Sequence, residues 1–297
     1  MYNGIINIYK EKGFTSHDVV AKMRGICEQK KIGHTGTLDP DATGVLPVCL
    51  GSGTKLCDML TDKDKEYVAE LLLGKETDTQ DVTGQVLKEL TVTSSEEEVR
   101  AAILSFVGDY MQVPPMYSAL KVDGKKLYEL ARAGKEVERA ARPVKILDIE
   151  ILEMRLPVVK IRVECSKGTY IRTLCHDIGQ KLGCGGTMQS LLRTKVGFFK
   201  LEDAISLTEL ERLRDEERIS EKLYAVDSIF GECPALYAKE ETIRLLENGN
   251  SFYPNQMLEK MTYPAGQWVR VYGGERFFGI YAYDSDTRRY KPVKMFL

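Results

Sequence analysis

The stretch VVKIRVEC (158–165) sets the strongest constraint on what this chain can become. Val159, Ile161, Val163 and Cys165 alternate with Lys160, Arg162 and Glu164. A period of two puts the apolar set on one face of a strand and the charges on the other. The segment therefore needs a sheet with one dry face, and residues 144–152 read as its antiparallel neighbour. Further strands are expected at 4–9 (GIINIY), in VLPVCL and at 67–73 (YVAELLL). Pro47 confines VLPVCL to a sheet edge or an irregular start, because proline has no N–H for a ladder.

Helical patterns interleave with these strands. Thr15 and Ser16 are good N-caps for a helix whose apolar face is Val19, Val20, Met23, Ile26 and Cys27. A second helix starts near Ser94-Ser95 with three glutamates in its first turn, where the dipole favours negative charge. Its expected buried face is Val99, Ala102, Ile103, Phe106 and Val107, ended by Gly108. Another begins near Thr169, and an acidic helical stretch covers 206–223. GKETDTQDVTGQV (74–86) is a turn-rich hairpin or crossover in which Asp78 and Asp81 serve turn chemistry, since a full calcium ladder is missing. From about 236 the texture changes to one helix (240–248) and short strands, a β-rich module whose boundary falls in 225–238.

The seven cysteines are odd in number and scattered, with no CxxC pair, which points to reduced thiols. Cys175-His176 with Cys184 fits no common zinc spacing. LGSGTK (50–55) lacks the Lys-Ser/Thr step of a phosphate loop, and neither GxGxxG nor HExxH occurs, so no metal or cofactor is expected. No apolar run approaches the ~20 residues of a membrane span, and MYNGIINIYKEKG reads as a strand rather than a leader. A cytoplasmic protein is expected. Net charge is −2, but residues 121–200 carry 17 Lys and Arg against 9 Asp and Glu, between two acidic blocks. Such a block can bind phosphates whatever the overall charge, or can simply be a set of solvated faces.

Four places could carry chemistry. In KIGHTGTLDPDATGVLPVCLG (31–51), Pro40 disfavours the helical region for Asp39 and stiffens the loop around its carboxylate. Composition leaves an Asx-turn equally open, and Asp41 reads as a turn residue. In CSKGTYIRTLCHDIG (165–179), Arg172 opens a helix at the wrong end of the dipole. It therefore needs a partner, and a carboxylate from another loop would serve. Tyr67 begins a strand and could stack on a base or be core edge. Residues 113–146 hold Lys121, Lys125, Lys126, Arg132, Lys135, Arg139, Arg142 and Lys145. They read as a mobile basic flap or a solvated amphipathic helix.

Together with GKETDTQDVTGQV and PPMYSALKVDGKKLYELARAGKEVERAARPVKI, these stretches closely resemble the bacterial TruB family of tRNA pseudouridine-55 synthases over roughly residues 1–230. The resemblance implies an α+β fold: a mixed, mainly antiparallel sheet flanked by helices, in a catalytic domain over 1–235. A small β-barrel RNA-binding module of the PUA type would follow at 236–297. It implies isomerisation of uridine 55 in the T loop of tRNA, with no cofactor, no membrane, no obligate protein partner and a monomeric chain. Asp39 matches the catalytic aspartate, which either attacks C1′ or removes a sugar proton. Arg172 matches its ion-pair partner, and Tyr67 the ring that stacks on the extruded uracil. Tyr170 matches a second pocket tyrosine, Leu191 the apolar wall, and His34 the residue that enters the T loop. Lys10, Lys121, Lys125, Lys126 and Arg132 fall among the RNA-binding positions, and 113–146 matches an insertion that closes over RNA. One departure is that Lys10-Glu11-Lys12-Gly13 stands where the family usually shows Lys-Pro before the first glycine. A catalytically silent tRNA-binding protein and a base hydrolase are the rival readings.

Overall fold

The computed structural model describes residues 1–122, 124–259 and 261–297. The chain opens with β1 (Gly4–Lys10) and α1 (Ser16–Ile26), then β2 (Ile32–His34), β3 (Thr43–Leu50), α2 (Cys57–Thr61) and β4 (Lys65–Leu73). A hairpin, β5 (Lys75–Thr77) with β6 (Val86–Glu89), leads to α3 (Glu96–Leu104) and β7 (Gly108–Gln112). An excursion with β8 (Lys121–Val122), β9 (Lys125–Lys126) and α4 (Leu127–Arg132) follows. The chain returns through β10 (Arg142–Arg155), β11 (Val158–Cys165), α5 (Ile171–Leu182) and β12 (Gly186–Val196). Then come β13 (Phe199–Lys200), α6 (Leu207–Asp215) and β14 (Leu223–Tyr224). Last are β15 (Ala235–Tyr237), α7 (Glu240–Glu247), β16 (Trp268–Gly273), β17 (Arg276–Asp284) and β18 (Arg289–Met295).

The main sheet runs β14-β1-β3-β12-β4-β11-β10-β7, with β13 beside β12 and β2 beside β3. Its pairs are antiparallel except β12 with β3, which run parallel where Leu192 and Arg193 face Thr43 and Gly44. The alternation in β11 emerges as expected: Val159, Ile161, Val163 and Cys165 are fully buried while the residues between them are partly exposed. Together with the facing residues of β4 they form a core closed by α3 and α5. A second cluster lies between β1, β3 and the helices α1 and α6. The caps read from sequence hold, since Thr15 and Ser95 each close a capping box.

Several expectations change. Pro47 sits not at an edge but inside the sheet, opposite Asn7 of β1. An extended residue directs its N and C=O to the same side. The Pro47 carbonyl accepts from the Thr35 N–H at 3.2 Å and Oγ1 at 3.1 Å. Its nitrogen therefore faces away from β1, in the gap where β12 has left β3 and β2 begins, and no ladder bond is forfeited. Helix α3 stops at Leu104, so Val107 is 45% exposed rather than buried. Helix α6 ends at Asp215, well short of 223, with a short 3-10 turn at Ile219–Lys222. Arg142 and Lys145 belong to β10, so the excursion from the sheet spans 113–141.

Strands β15–β18 form a separate four-stranded sheet with its own cluster around Phe252, Tyr281 and Tyr290. It is not detached from the main body. Ile280 and Phe296 share a buried cluster with Ile5, Val45 and Leu56. Lys55 Nζ also donates to the carbonyls of Met295 and Leu297 at 3.0 and 3.2 Å. No helix among the described residues is long and apolar enough to cross a membrane.

Candidate active site

The Asp39 loop is fastened at every second residue. Leu38 is buried, and its N–H donates to Ser16 Oγ of α1 at 2.9 Å. The Pro40 carbonyl accepts from the Gly13 N–H at 2.9 Å and from Lys10 Nζ at 3.0 Å, and the Ala42 N–H closes a turn onto the Asp39 carbonyl at 3.1 Å. Gly13 has φ +88°, a backbone that glycine adopts without strain. The turn after Lys10 is thus pinned by hydrogen bonds rather than by a proline.

Arg172 is the second residue of α5, and its guanidinium reaches the loop as a fork. Nε lies 3.0 Å from Asp39 Oδ2, and Nη2 donates to Oδ1 at 3.2 Å. Bidentate pairs of this kind fix orientation as well as charge. The remaining donors are also used: Nη1 meets the Thr79 carbonyl at 3.1 Å and Asp81 Oδ2 at 3.6 Å, and Nη2 the Tyr117 carbonyl at 2.9 Å. Two carboxylates therefore offset a cation that the helix dipole disfavours. The arginine side chain is 6% exposed, whereas that of Asp39 is 38% exposed, so the open end of the pair is the carboxylate. Burial pushes the Asp39 carboxyl above the usual range. Arg172 opposes that push, and the charge of Asp81 adds to it. The arginine orients the carboxylate, while desolvation sets the direction of its shift.

The N-terminus of α5 has its own clamp. Tyr170 is the N-cap residue and makes no side-chain cap bond. Gln112, buried at the end of β7, accepts from the Tyr170 N–H at 2.8 Å and donates to its carbonyl at 3.0 Å. This fixes the backbone two residues before Arg172. Tyr67 lies on β4 in the same core as Leu38 and Ala42, with partly buried Leu191 of β12 packed against that cluster. Burial raises the Tyr67 phenol, and Asp39 adds to the rise. Tyr170 is likewise raised by burial and senses both Asp39 and Arg172. Asp39, Arg172, Tyr67, Tyr170 and Leu191 are thus brought to one place from four elements.

The other positions divide. His34 ends β2, and its Nδ1 accepts from the Gly36 N–H at 3.3 Å, with its imidazole pushed down by burial. Lys10 corrects the sequence reading. It is fully buried, and its Nζ is bonded to the carbonyls of Glu11, Phe14 and Pro40. A side chain so placed braces the Asp39 loop from beneath and presents no charge to RNA. Burial lowers it to about 8. Lys125, Lys126 and Arg132 lie on the excursion, the last two over the Tyr128 ring at 5.4 and 5.6 Å. The side chain of Lys121 lies outside the described residues. Two shallow clefts, one beside Leu73 and Pro157 and one beside Glu98 and Lys181, do not border Asp39. The Tyr117 carbonyl accepts from Arg172, so the root of the excursion itself lines the site.

Two residues were missed from sequence. Asp81 looked like turn chemistry, and its Oδ1 does accept from Thr79 Oγ1, Thr83 N and Thr83 Oγ1. The other oxygen faces Arg172. Arg193 of β12 is fully buried, and its Nε donates to the Val45 carbonyl at 2.7 Å. Its strand has no clean two-residue alternation, so no local pattern marked Arg193 as buried.

The sequence profile of the TruB family pseudouridylate synthase N-terminal domain matches residues 24–171, and that of the tRNA pseudouridylate synthase B C-terminal domain matches 172–230. The chain is 49% identical to tRNA pseudouridine synthase B of Alkaliphilus oremlandii over 293 residues, covering 99% of this chain and 97% of that one. It is 52% identical to tRNA pseudouridine synthase B of Lachnoclostridium phytofermentans over 306 residues, covering 99% and 100%. Among solved structures, a chain of a Cbf5-Nop10-Gar1 complex superposes with a TM-score of 0.73 at 27% identity, covering 99% of this chain and 85% of that one. Both halves of the sequence and the full-length relatives agree, and this chain belongs to the TruB family of pseudouridylate synthases.

Proposed function

We propose that this chain converts uridine 55 to pseudouridine in the T loop of tRNA, with Asp39 as the group that acts on the sugar. The supporting observation is the forked Asp39–Arg172 pair, in which the arginine is buried and the carboxylate open. The N1–C1′ bond breaks, the uracil turns in place, and C5 bonds to C1′. The proton lost from C5 is balanced by one gained at N1, so nothing is oxidised or hydrolysed. Asp39 either attacks C1′ or takes a sugar proton, and Arg172 holds it in line for either. Tyr67 stacks on the uracil and assists loss of the C5 proton, while Leu191 and Tyr170 complete the pocket. The base reaches Asp39 by leaving its stack, at a cost of a few kcal/mol. His34 enters the T loop and Lys125, Lys126 and Arg132 contact its phosphates, with residues 113–141 closing over the RNA.

Residues 1–235 act as the catalytic domain and 236–297 as a PUA-like RNA-binding module. The enzyme works as a single chain in the cytoplasm. The test uses tRNA tritiated at uracil C5. Wild type is expected to release tritium and leave an intact strand bearing pseudouridine, and Asp39→Ala to release none while binding tRNA nearly as tightly. Free uracil in the product would point to a hydrolase, and turnover by Asp39→Ala would remove Asp39 from its role.

A further inference from the structure

Arg193 is the largest fully buried side chain among the described residues, and nothing in the reaction outlined above uses it. On β12 it stands opposite Tyr67 of β4 on one flank and beside Gly44 of β3 on the other. The approach at Gly44 is so close that a Cβ there would meet the Arg193 carbonyl oxygen at 2.2 Å. The guanidinium reaches back under the catalytic loop. Besides the bond to Val45, Nη1 lies 3.5 Å from the Thr37 carbonyl and Nη2 3.4 Å from that of Gly36. Tyr67 is its buried cross-strand partner, so ring and guanidinium stand on the same face of the sheet. Burial disfavours the Arg193 charge, and Tyr67 opposes that push. Removing a cation from water without a carboxylate partner costs several kcal/mol. A purely structural strand position could hold an apolar residue without that cost.

We propose that Arg193 is a positioning residue for the isomerisation, tying the Tyr67 hydroxyl to the carbonyls on either side of Asp39. The ring comes from β4 and the carboxylate from the loop before β3, 28 positions apart in sequence. One planar fork that bonds the loop backbone and stands opposite the ring sets their separation. Lysine could keep the charge but not the simultaneous contacts. The inference rests on the role proposed for Tyr67.

The experiment is a double-mutant cycle on the full chain with tRNA: Arg193→Lys, Tyr67→Phe and the double variant, each checked by thermal unfolding. Arg193→Lys is expected to lower the single-turnover rate about 10²-fold and to leave the RNA dissociation constant within about threefold. Most of that loss should vanish in the Tyr67→Phe background, because coupled residues are not additive. Additive losses, or a loss confined to RNA affinity, would overturn the proposal. A Tyr67→Phe variant with normal turnover removes the role of Tyr67 and this inference with it, whereas an impaired one with additive losses overturns the part of Arg193 alone. If Arg193→Lys does not fold, the Nε–H resonance of Arg193 in isotopically labelled protein is compared between wild type and Tyr67→Phe. A shift is expected, and an unmoved resonance would refute the contact.

Discussion

Arg172 and Arg193 are almost equally buried, at 5% and 1% exposure, yet they are satisfied in opposite ways. Arg172 meets two carboxylates and two carbonyls, and Arg193 meets carbonyls alone, opposite the Tyr67 ring. The first arginine pairs in charge with the carboxylate proposed to act on the sugar. The second touches only backbone dipoles and a neighbouring ring, so it holds geometry. Lys10 belongs with the second kind, since its three partners are all carbonyls. The Asp39 loop is thus oriented from one side by a charge pair and supported from beneath by two cations that make no pair with it.

That contrast is sharpest at Arg172. Replacing it by lysine keeps a charge but cannot reproduce a fork that contacts both oxygens of Asp39. Removing donors from a preorganised site costs about 10²–10³-fold in rate, and Arg172→Lys is expected to fall in that range in kcat with tRNA affinity little changed. An affinity loss that accounts for the whole defect would mean that Arg172 serves the RNA rather than the carboxylate.

Asp81 divides the comparison more finely. Its charge adds to the rise of the Asp39 carboxyl, and Arg172 opposes that rise. If the working form is the carboxylate, activity falls as pH falls through the raised value. Asp81→Asn removes a raising influence, so the acid limb of kcat/KM should move to lower pH. The loss at neutral pH should be on the order of tenfold, because Arg172 loses a brace. A limb that moves upward, or does not move, would separate Asp81 from the Asp39–Arg172 unit.

Much of this was legible in the sequence, and the failures share a cause. The β11 alternation named its buried residues because a pleated strand has only two faces. Asp39 stood out because Pro40 restricts it and glycines surround it. Arg172 announced a missing partner through its clash with the helix dipole. Pairing it with a carboxylate 133 positions away needed the family resemblance, since no local pattern encodes that contact. Pro47 misled because its lost donor matters only on the side where a neighbour sits, and local sequence does not show that side. Asp81 was half read, because turn bonds at one oxygen hide the work of the other. Lys10 and Arg193 were misread or missed for a single reason. Charged residues on a strand are assigned to water, and only the tertiary structure shows carbonyls converging to replace it.

The smallest expected effects lie on the excursion, where the cations are of a third kind. Lys125 is exposed, and Lys126 and Arg132 flank the Tyr128 ring without a carboxylate partner among their described contacts. Such charges neutralise phosphates and release counterions, which changes affinity and its salt dependence but leaves the bound chemistry alone. Replacing Lys125, Lys126 and Arg132 together by alanine should weaken tRNA binding several-fold at moderate salt. The slope of log K against log salt should fall by up to about 2–3, with the single-turnover rate at saturating RNA nearly unchanged. A slope that stays put would place these cations outside the RNA contact. A fall in the saturated rate would instead show that the excursion acts through the Tyr117 carbonyl on Arg172. The separation between cations that bind and cations that hold the reacting groups would then dissolve at that one hydrogen bond.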